Sequence, residues 1–507
     1  MRLERKKNAK FNIIWGTANN IVEIVSPFIC RTVLLHVLGS EILGLDSLFI
    51  SVLSIINIAE MGFASAVAFS MYKPIAQSNY ESIRKILNYL KRVYRYIGII
   101  ILSIGIILLP FLPNLIKNGL SSQNGNLYLL FSIYLCDSVL GYLILGHWST
   151  LLSAFQANGY INIVKLFLNI IRTGVQVFSV LYFKEYFYYV LVIPITTVLS
   201  NVLFYKVCKK KYPSICCSGE VDNQTKKDII LRVKGLVIYK ICSLSRNTFD
   251  SVFISAFLGL TINAYYIGYF SVYAALSKLM SVISESLISG VGNSMNLDSI
   301  EKNYHDMNRL NFVYMLIGGW MSICMLCLYQ PFIALWLGKE AVFGFGVPLS
   351  FALYFYIAKM GDIRAMYSDA AGLWWENRYR SIFEAITNII LNYILINVFG
   401  VLGVVLASLL SILMIGFPLS TKVLFDRYFT NHSIMDFFIS HIKYFFVSLI
   451  IGAISYGLCV IVHGSYINTI MYRCVICIFI TPLLYWIVYY RIEYFEEVRQ
   501  WILKILK

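Results

Sequence analysis

Charge is what this sequence has least of. Asp, Glu, Lys and Arg together make up 13% of its 507 residues, about half the share found in soluble domains. Too few charges are present to coat a water-soluble fold. The alternating polarity that marks barrel strands over about ten residues is also missing. Histidine is scarce, with six copies and no pair at i,i+4, so no helical zinc motif is written here. A Walker A phosphate loop is absent, which excludes ATP hydrolysis by the chain itself. The 11 cysteines include Cys324/Cys327 and Cys474/Cys477 at CxxC spacing. These positions fall mid-run without a neighbouring His or acid, so they read as packing residues, and no metal or cofactor is expected. Cys216 and Cys217 lie in a loop read as cytoplasmic, where a structural disulfide is disfavoured.

What is abundant is hydrocarbon: 59% of residues are hydrophobic and 16% aromatic. A membrane-spanning helix needs about 20 mostly apolar residues. Apolar runs bounded by charge predict fourteen spans, near 11–35, 44–70, 94–116, 127–153, 163–183, 186–205, 236–259, 264–290, 311–333, 347–370, 382–398, 401–425, 444–463 and 467–490. The first run is too long for a signal-peptide core and is expected to be retained. The fold class is therefore an all-α polytopic membrane protein in the lipid bilayer.

A net charge of +16 would suit nucleic acid only if the cations shared one folded face. They are instead dispersed between spans, and no nucleic-acid partner is expected. With the N-terminus cytoplasmic, only Lys117, Lys184 and Lys339 fall in far-side connections, which obeys the positive-inside rule. An even number of spans then puts both basic termini in the cytoplasm. The far-side connections are too short to hold a catalytic carboxylate, so the chain is not read as an enzyme. The organisation expected is an N-terminal lobe over 1–205, a basic cytoplasmic linker over 206–235, a second lobe over 236–430, and two further spans with an interfacial helix over 431–507. Glu60 follows Gly44 by sixteen residues and Glu285 follows Gly268 by seventeen, a faint internal repeat of the kind found in secondary transporters.

An ionisable group at mid-bilayer costs about 2.5–3.5 kcal/mol even on lenient scales, and so should face protein or a wet cavity. On a helical projection Asn20, Glu23, Pro27 and Arg31 form one stripe along span one. In span seven Arg246 and Asp250 form an i,i+4 pair with Tyr239 and Ser243 on the same face. In span eight Ser271, Lys278 and Glu285 share a face, and in span ten Lys359 and Asp362 are i,i+3 neighbours. Lys240, Arg172 and Arg473 suit either a cavity or snorkelling to the interface. Asp46 reads as a first-turn cap.

Several stretches carry a resemblance over almost the whole chain: LGSEILGLDSLFISVLSIINIAEMGFASAVAFSMYKPIA (Leu38–Ala76), NTFDSVFISAFLGLTINAYYIGYF (Asn247–Phe270), GVGNSMNLDSIEKNYHDMNRLNF (Gly290–Phe312), IALWLGKE (Ile333–Glu340) and AGLWWENRYRSIFEAITNIILN (Ala371–Asn392). In order and position they resemble the Wzx-like flippases of the multidrug/oligosaccharidyl-lipid/polysaccharide exporter superfamily. The resemblance implies two six-helix lobes around a central cavity plus two C-terminal helices, in a bacterial cytoplasmic membrane. It implies an undecaprenyl-pyrophosphate-linked oligosaccharide as cargo, moved to the outer leaflet by alternating access, with H+ or Na+ as the candidate coupling ions. A polysaccharide polymerase and glycosyltransferases of the same pathway are the implied partners, in O-antigen, capsule or exopolysaccharide synthesis. Arg31, Arg246, Lys278, Glu23, Asn20 and Lys240 are the expected substrate-binding residues. Asp250, Glu60, Glu285, Lys359 and Asp362 are the expected coupling or ion-pair residues. The rival readings are a cation-coupled multidrug antiporter of the same superfamily and a non-transport scaffold of a polysaccharide assembly complex.

The orientation is directly testable. In a background without native cysteines, a cysteine at Asn124 should react with an impermeant thiol reagent added outside, whereas one at Asn223 should not. Reversed labelling would invert the topology.

Overall fold

The computed structural model describes residues 5–60, 62–117, 126–462 and 464–506. The side chains of 5–10, 13, 58–59, 232, 234–247, 285, 289, 296 and 501–506 are outside that description. The described residues contain helices and no strand. Among the described residues ten helices are long and apolar enough to cross a membrane, or eleven if the bent pair Leu127–Leu143 and His147–Ala154 forms one span. These coincide with eleven of the fourteen expected spans. Of the other three, 44–70 and 347–370 fall on helices broken after Ile56 and at Gly361, and 236–259 falls on one helix whose side chains up to 247 lie outside the described residues. The expected outer loop around Asn124 lies outside the described residues.

The chain forms two compact units, 1–264 and 265–507. In the first, α1 (Arg5–Leu38) lies along α7 (Asn158–Phe183). Asn12 fixes their crossing, donating to the Gln156 carbonyl at 3.0 Å and accepting from the Gly159 amide at 2.5 Å. Next come α2 (Ser40–Ile56), a 3-10 turn at Asn57–Glu60, α3 (Phe63–Ala76) and α4 (Tyr80–Leu108). The bent pair α5 (Leu127–Leu143) and α6 (His147–Ala154) follows, then α7, α8 (Tyr186–Lys211) and α9 (Asn223–Phe257). Their shared core includes Leu34, Leu45, Leu48, Phe49, Leu87, Leu90, Phe131 and Val190, all fully buried.

The expected linker is mostly not a linker. Helix α8 runs to Lys211 and α9 begins at Asn223, so only 212–222 is loop. That loop is strapped to α4: Arg84 donates to the Ser214 carbonyl at 2.9 Å, Asn88 to the Gly219 carbonyl at 2.8 Å, and Arg92 to Glu220 at 2.6 Å. The Arg92 guanidinium holds the Glu220 carboxyl below the usual carboxylate range.

Helix α9, expected in the second lobe, packs on α2 and α3 within the first unit. Just past the end of α9, the chain approaches α2 closely at Gly44, where a Cβ would overlap the Leu260 carbonyl. The Asn263 amide seals the contact by donating to the Gly44 carbonyl at 3.1 Å, while the Ser251 hydroxyl bonds its oxygen at 2.8 Å.

Helix α10 (Leu260–Leu297) passes into the second unit, whose spine is the 37-residue α11 (Ile300–Trp336). Around α11 stand α12 (Gly346–Met360), α13 (Asp362–Ala370), α17 (Ile434–Val460) and α18 (Tyr466–Val475), the last continuing through a π-turn into α19 (Thr481–Tyr489). A hairpin of α14 (Arg378–Phe399) and α15 (Val401–Ser411) packs on α12, and α16 (Phe417–Arg427) follows another π-turn. The expected C-terminal helix is α20 (Glu493–Leu506). It docks on α11 through Glu497, which meets His305 at 3.2 Å and Arg309 at 3.8 Å. Cys327, Cys459 and Cys477 are buried together in the core of this unit, among Phe312, Ile323, Ile451 and Tyr485.

The α14–α15 hairpin depends on Gly403, where a Cβ would overlap the Leu395 carbonyl. Gly403→Val should therefore cost about 1–3 kcal/mol through overpacking. A melting temperature equal to wild type in purified protein would disprove that tight approach.

Candidate functional site

Of the expected stripe along α1, Asn20, Glu23 and Arg31 are all half-buried. The residue bonded to Glu23 is Asn19, whose amide donates to the carboxylate at 2.8 Å. One face further round, Cys30 approaches Gln176 of α7 at 3.8 Å.

One buried charge of the first unit stands where the sequence reads as a helix cap. Asp46 of α2 is buried, and its carboxylate accepts from the hydroxyls of Tyr134 in α5 and Tyr186 in α8, the latter at 2.9 Å. The two hydroxyls are themselves 3.0 Å apart. Both Arg31 and Arg172 lie close enough to attract the carboxylate, and Tyr189 borders the same cluster. Four further helices, α1, α5, α7 and α8, thus converge on α2 through polar side chains. The arrangement obeys a simple requirement: an ionised group removed from water must be both charge-compensated and hydrogen-bonded. The sequence did contain a signal for it. Tyr134 stands eight residues inside a predicted span rather than in an interfacial belt, and a buried Tyr hydroxyl needs a partner.

The remaining expected residues separate. Glu60 sits in the 3-10 turn after α2, where it accepts from Tyr94 of α4 at 3.1 Å. Asp250 of α9 is 2% exposed. In the second unit Lys278 is half-buried on α10, and Lys359 pairs with Asp362 at 2.9 Å across the break between α12 and α13. The side chains of Lys240, Arg246 and Glu285 lie outside the described residues.

A second buried polar group forms around Arg364, an in-span charge whose facing the sequence leaves open. Arg364 donates to the Phe417 carbonyl at 2.9 Å and to Thr421 at 3.0 Å, with its guanidinium 4.6 Å over the Phe417 ring. Arg380 pairs with buried Glu384 at 2.8 Å. These contacts tie α13 to α16 and brace α14, a positioning role. Among the described residues no group of three His, Cys, Asp or Glu side chains could hold a metal ion.

A concave feature of the second unit is apolar. Two adjoining hollows of about 640 and 360 Å³ share Tyr356 and Phe445. One extends past Met360, Phe417 and Phe438, the other past Leu349, Gly452 and Tyr456. Together they form a groove along α12 and α17.

Replacing Tyr134 or Tyr186 by Phe removes a hydrogen bond to a charged acceptor and should cost about 1.5–3 kcal/mol. Thermal unfolding of the purified variants measures this, and unchanged melting in both would dismiss the tyrosines as the anchors of Asp46.

No protein-family model matches the chain, and no curated protein matches it either. Solved structures do share its fold. A lipid II flippase MurJ in an inward closed conformation superposes with a TM-score of 0.67 at 16% identity, covering 94% of this chain and 99% of its own. An inward-facing multidrug resistance MATE transporter of the MOP superfamily gives 0.60 at 14%, covering 78% and 93%. The Vibrio cholerae MATE transporter VcmN gives 0.57 at 13%, covering 84% and 99%. At these identities the likeness establishes the fold: this chain has the architecture of those membrane transporters.

Proposed function

We propose that the protein is a flippase that carries an undecaprenyl-pyrophosphate-linked oligosaccharide from the cytoplasmic to the outer leaflet by alternating access, serving surface polysaccharide synthesis. The observation that carries this reading is the apolar groove along α12 and α17. A long isoprenoid tail loses nothing by lying there, since bilayer and groove are both hydrocarbon. The tail can stay outside the polar path while the head crosses.

The head is the costly part. Its phosphates carry negative charge that hydrocarbon excludes, and arginine suits them through bidentate contacts. Arg31 on α1 and Lys278 on α10 supply cations, and Arg246, Lys240, Glu23 and Asn20 complete the proposed substrate set. For H+ or Na+ coupling the candidates are Asp250, Glu60, Glu285 and the Lys359–Asp362 pair. In this reading the termini are cytoplasmic, and the pathway's glycosyltransferases and polymerase act before and after the flip.

Proteoliposomes loaded with a fluorescent lipid-pyrophosphate oligosaccharide supply the test. Wild type should expose the label to an impermeant quencher, and Arg31→Ala and Lys278→Ala should each slow exposure at least tenfold while folding normally. Normal transport by both variants would remove the cationic pathway. Efflux of an organic cation by wild type, with no lipid translocation, would establish the drug antiporter instead.

A further inference from the structure

A second cavity of the second unit has a different chemistry. It measures about 370 Å³ and is bordered by Gln330, Lys339, Tyr466, Thr469 and Arg473. None of its lining residues is acidic. Among the described residues neither Lys339 nor Arg473 pairs with a carboxylate. Lys339 lies over the Tyr466 ring at 5.8 Å, and Tyr466 and Thr469 belong to the first turn of α18, whose positive dipole end adds to the two cations.

Arg473 is held for a traceable reason. Pro331 lacks an amide hydrogen, so the carbonyl four residues earlier, that of Cys327, loses its helical partner. The Arg473 guanidinium takes it, donating through Nη1 at 2.7 Å, while its Nε is buried without a partner. That bond explains where the arginine sits. It does not explain a lysine beside it with no counter-charge.

The cleft adjoins the apolar groove. Val342 lines the cleft and Phe345 the groove, and on α17 and just beyond it Tyr456 lines the groove and Val462 the cleft. Phe345 and Tyr456 touch, with ring centroids 5.0 Å apart. A hydrocarbon trough that ends in a cationic pocket is shaped for an amphiphile with an anionic head.

We infer that the cleft bordered by Lys339 and Arg473 binds the phosphate group of an isoprenoid lipid whose chain lies in the groove. With the termini cytoplasmic, Lys339 is on the outer side, and the cleft is a docking site for the lipid head there. The inference rests on the proposed orientation and cargo class, and goes beyond them by placing a site outside the substrate residues named above.

The test uses full-length protein in phosphatidylcholine nanodiscs titrated with farnesyl diphosphate, farnesol or inorganic pyrophosphate. Farnesyl diphosphate should bind at least tenfold tighter than either other probe. Lys339→Glu, which leaves the Arg473–Cys327 bond in place, should abolish that advantage, and Lys339→Arg should retain it. Unchanged affinity in Lys339→Glu would overturn the site, as would equal binding of farnesol. Equal binding of pyrophosphate would make it a site for a free anion and overturn the lipid assignment. Because binding is read without transport, a wild type that binds but does not flip would refute the function and leave the site standing.

Discussion

Hydrocarbon offers a polypeptide no hydrogen-bond partner, so each backbone amide and carbonyl at membrane depth must be satisfied by the chain itself. The rest of this structure follows from that constraint. Helices meet it residue by residue, and where they break a side chain takes over. Between α5 and α6, Leu145 adopts a left-handed φ of 57° and the chain bends by 51°. Asn201 of α8 then donates to the freed carbonyls of Gly141 and Ile144 at 3.2 and 2.8 Å. At Pro331 the substitute donor is Arg473, and at the α12–α13 break Lys359 and Asp362 neutralise each other within one turn.

The same accounting governs the charged side chains. Asp46 is stabilised by two phenolic donors and two neighbouring guanidinium groups, and Arg364 by a carbonyl, a hydroxyl and an aromatic face. Each cluster joins helices distant in sequence. Truncating one member of such a group leaves the others buried and uncompensated, which is why a buried pair loses about 3–5 kcal/mol when one partner is removed. Polar contacts therefore give the apolar helices their register, while fully buried residues such as Phe49 and Phe355 fill the space between them.

On the proposed reading, transport chemistry divides along the same line. Basic residues meet the anionic head, and the trough along α12 and α17 meets the tail. The cleft at Lys339 lies where the two surfaces join, and there positive charge has not been cancelled internally. Elsewhere in the described core, cations such as Lys359 and Arg380 are matched by acids one turn away.

Composition and hydropathy alone established the helical membrane class, because transfer to hydrocarbon is a local property summed over about 20 residues. Eleven of the fourteen expected spans appear as apolar helices or as the one bent pair for the same reason. The i,i+3 pair Lys359–Asp362 was also legible, since a helix fixes the distance between such neighbours. Of the Asp46 cluster the sequence signalled only Tyr134, set deep in its span, and not the partners it meets. Its members stand at positions 31, 46, 134, 172 and 186, and no helical period relates them. Nor could the sequence show that Gly44 lets the start of α10 close on α2, or that α8 and α9 absorb most of the expected linker. Those outcomes depend on backbone approach and on which orphaned carbonyl or carboxylate each side chain reaches, and such distances exist only after the helices have packed.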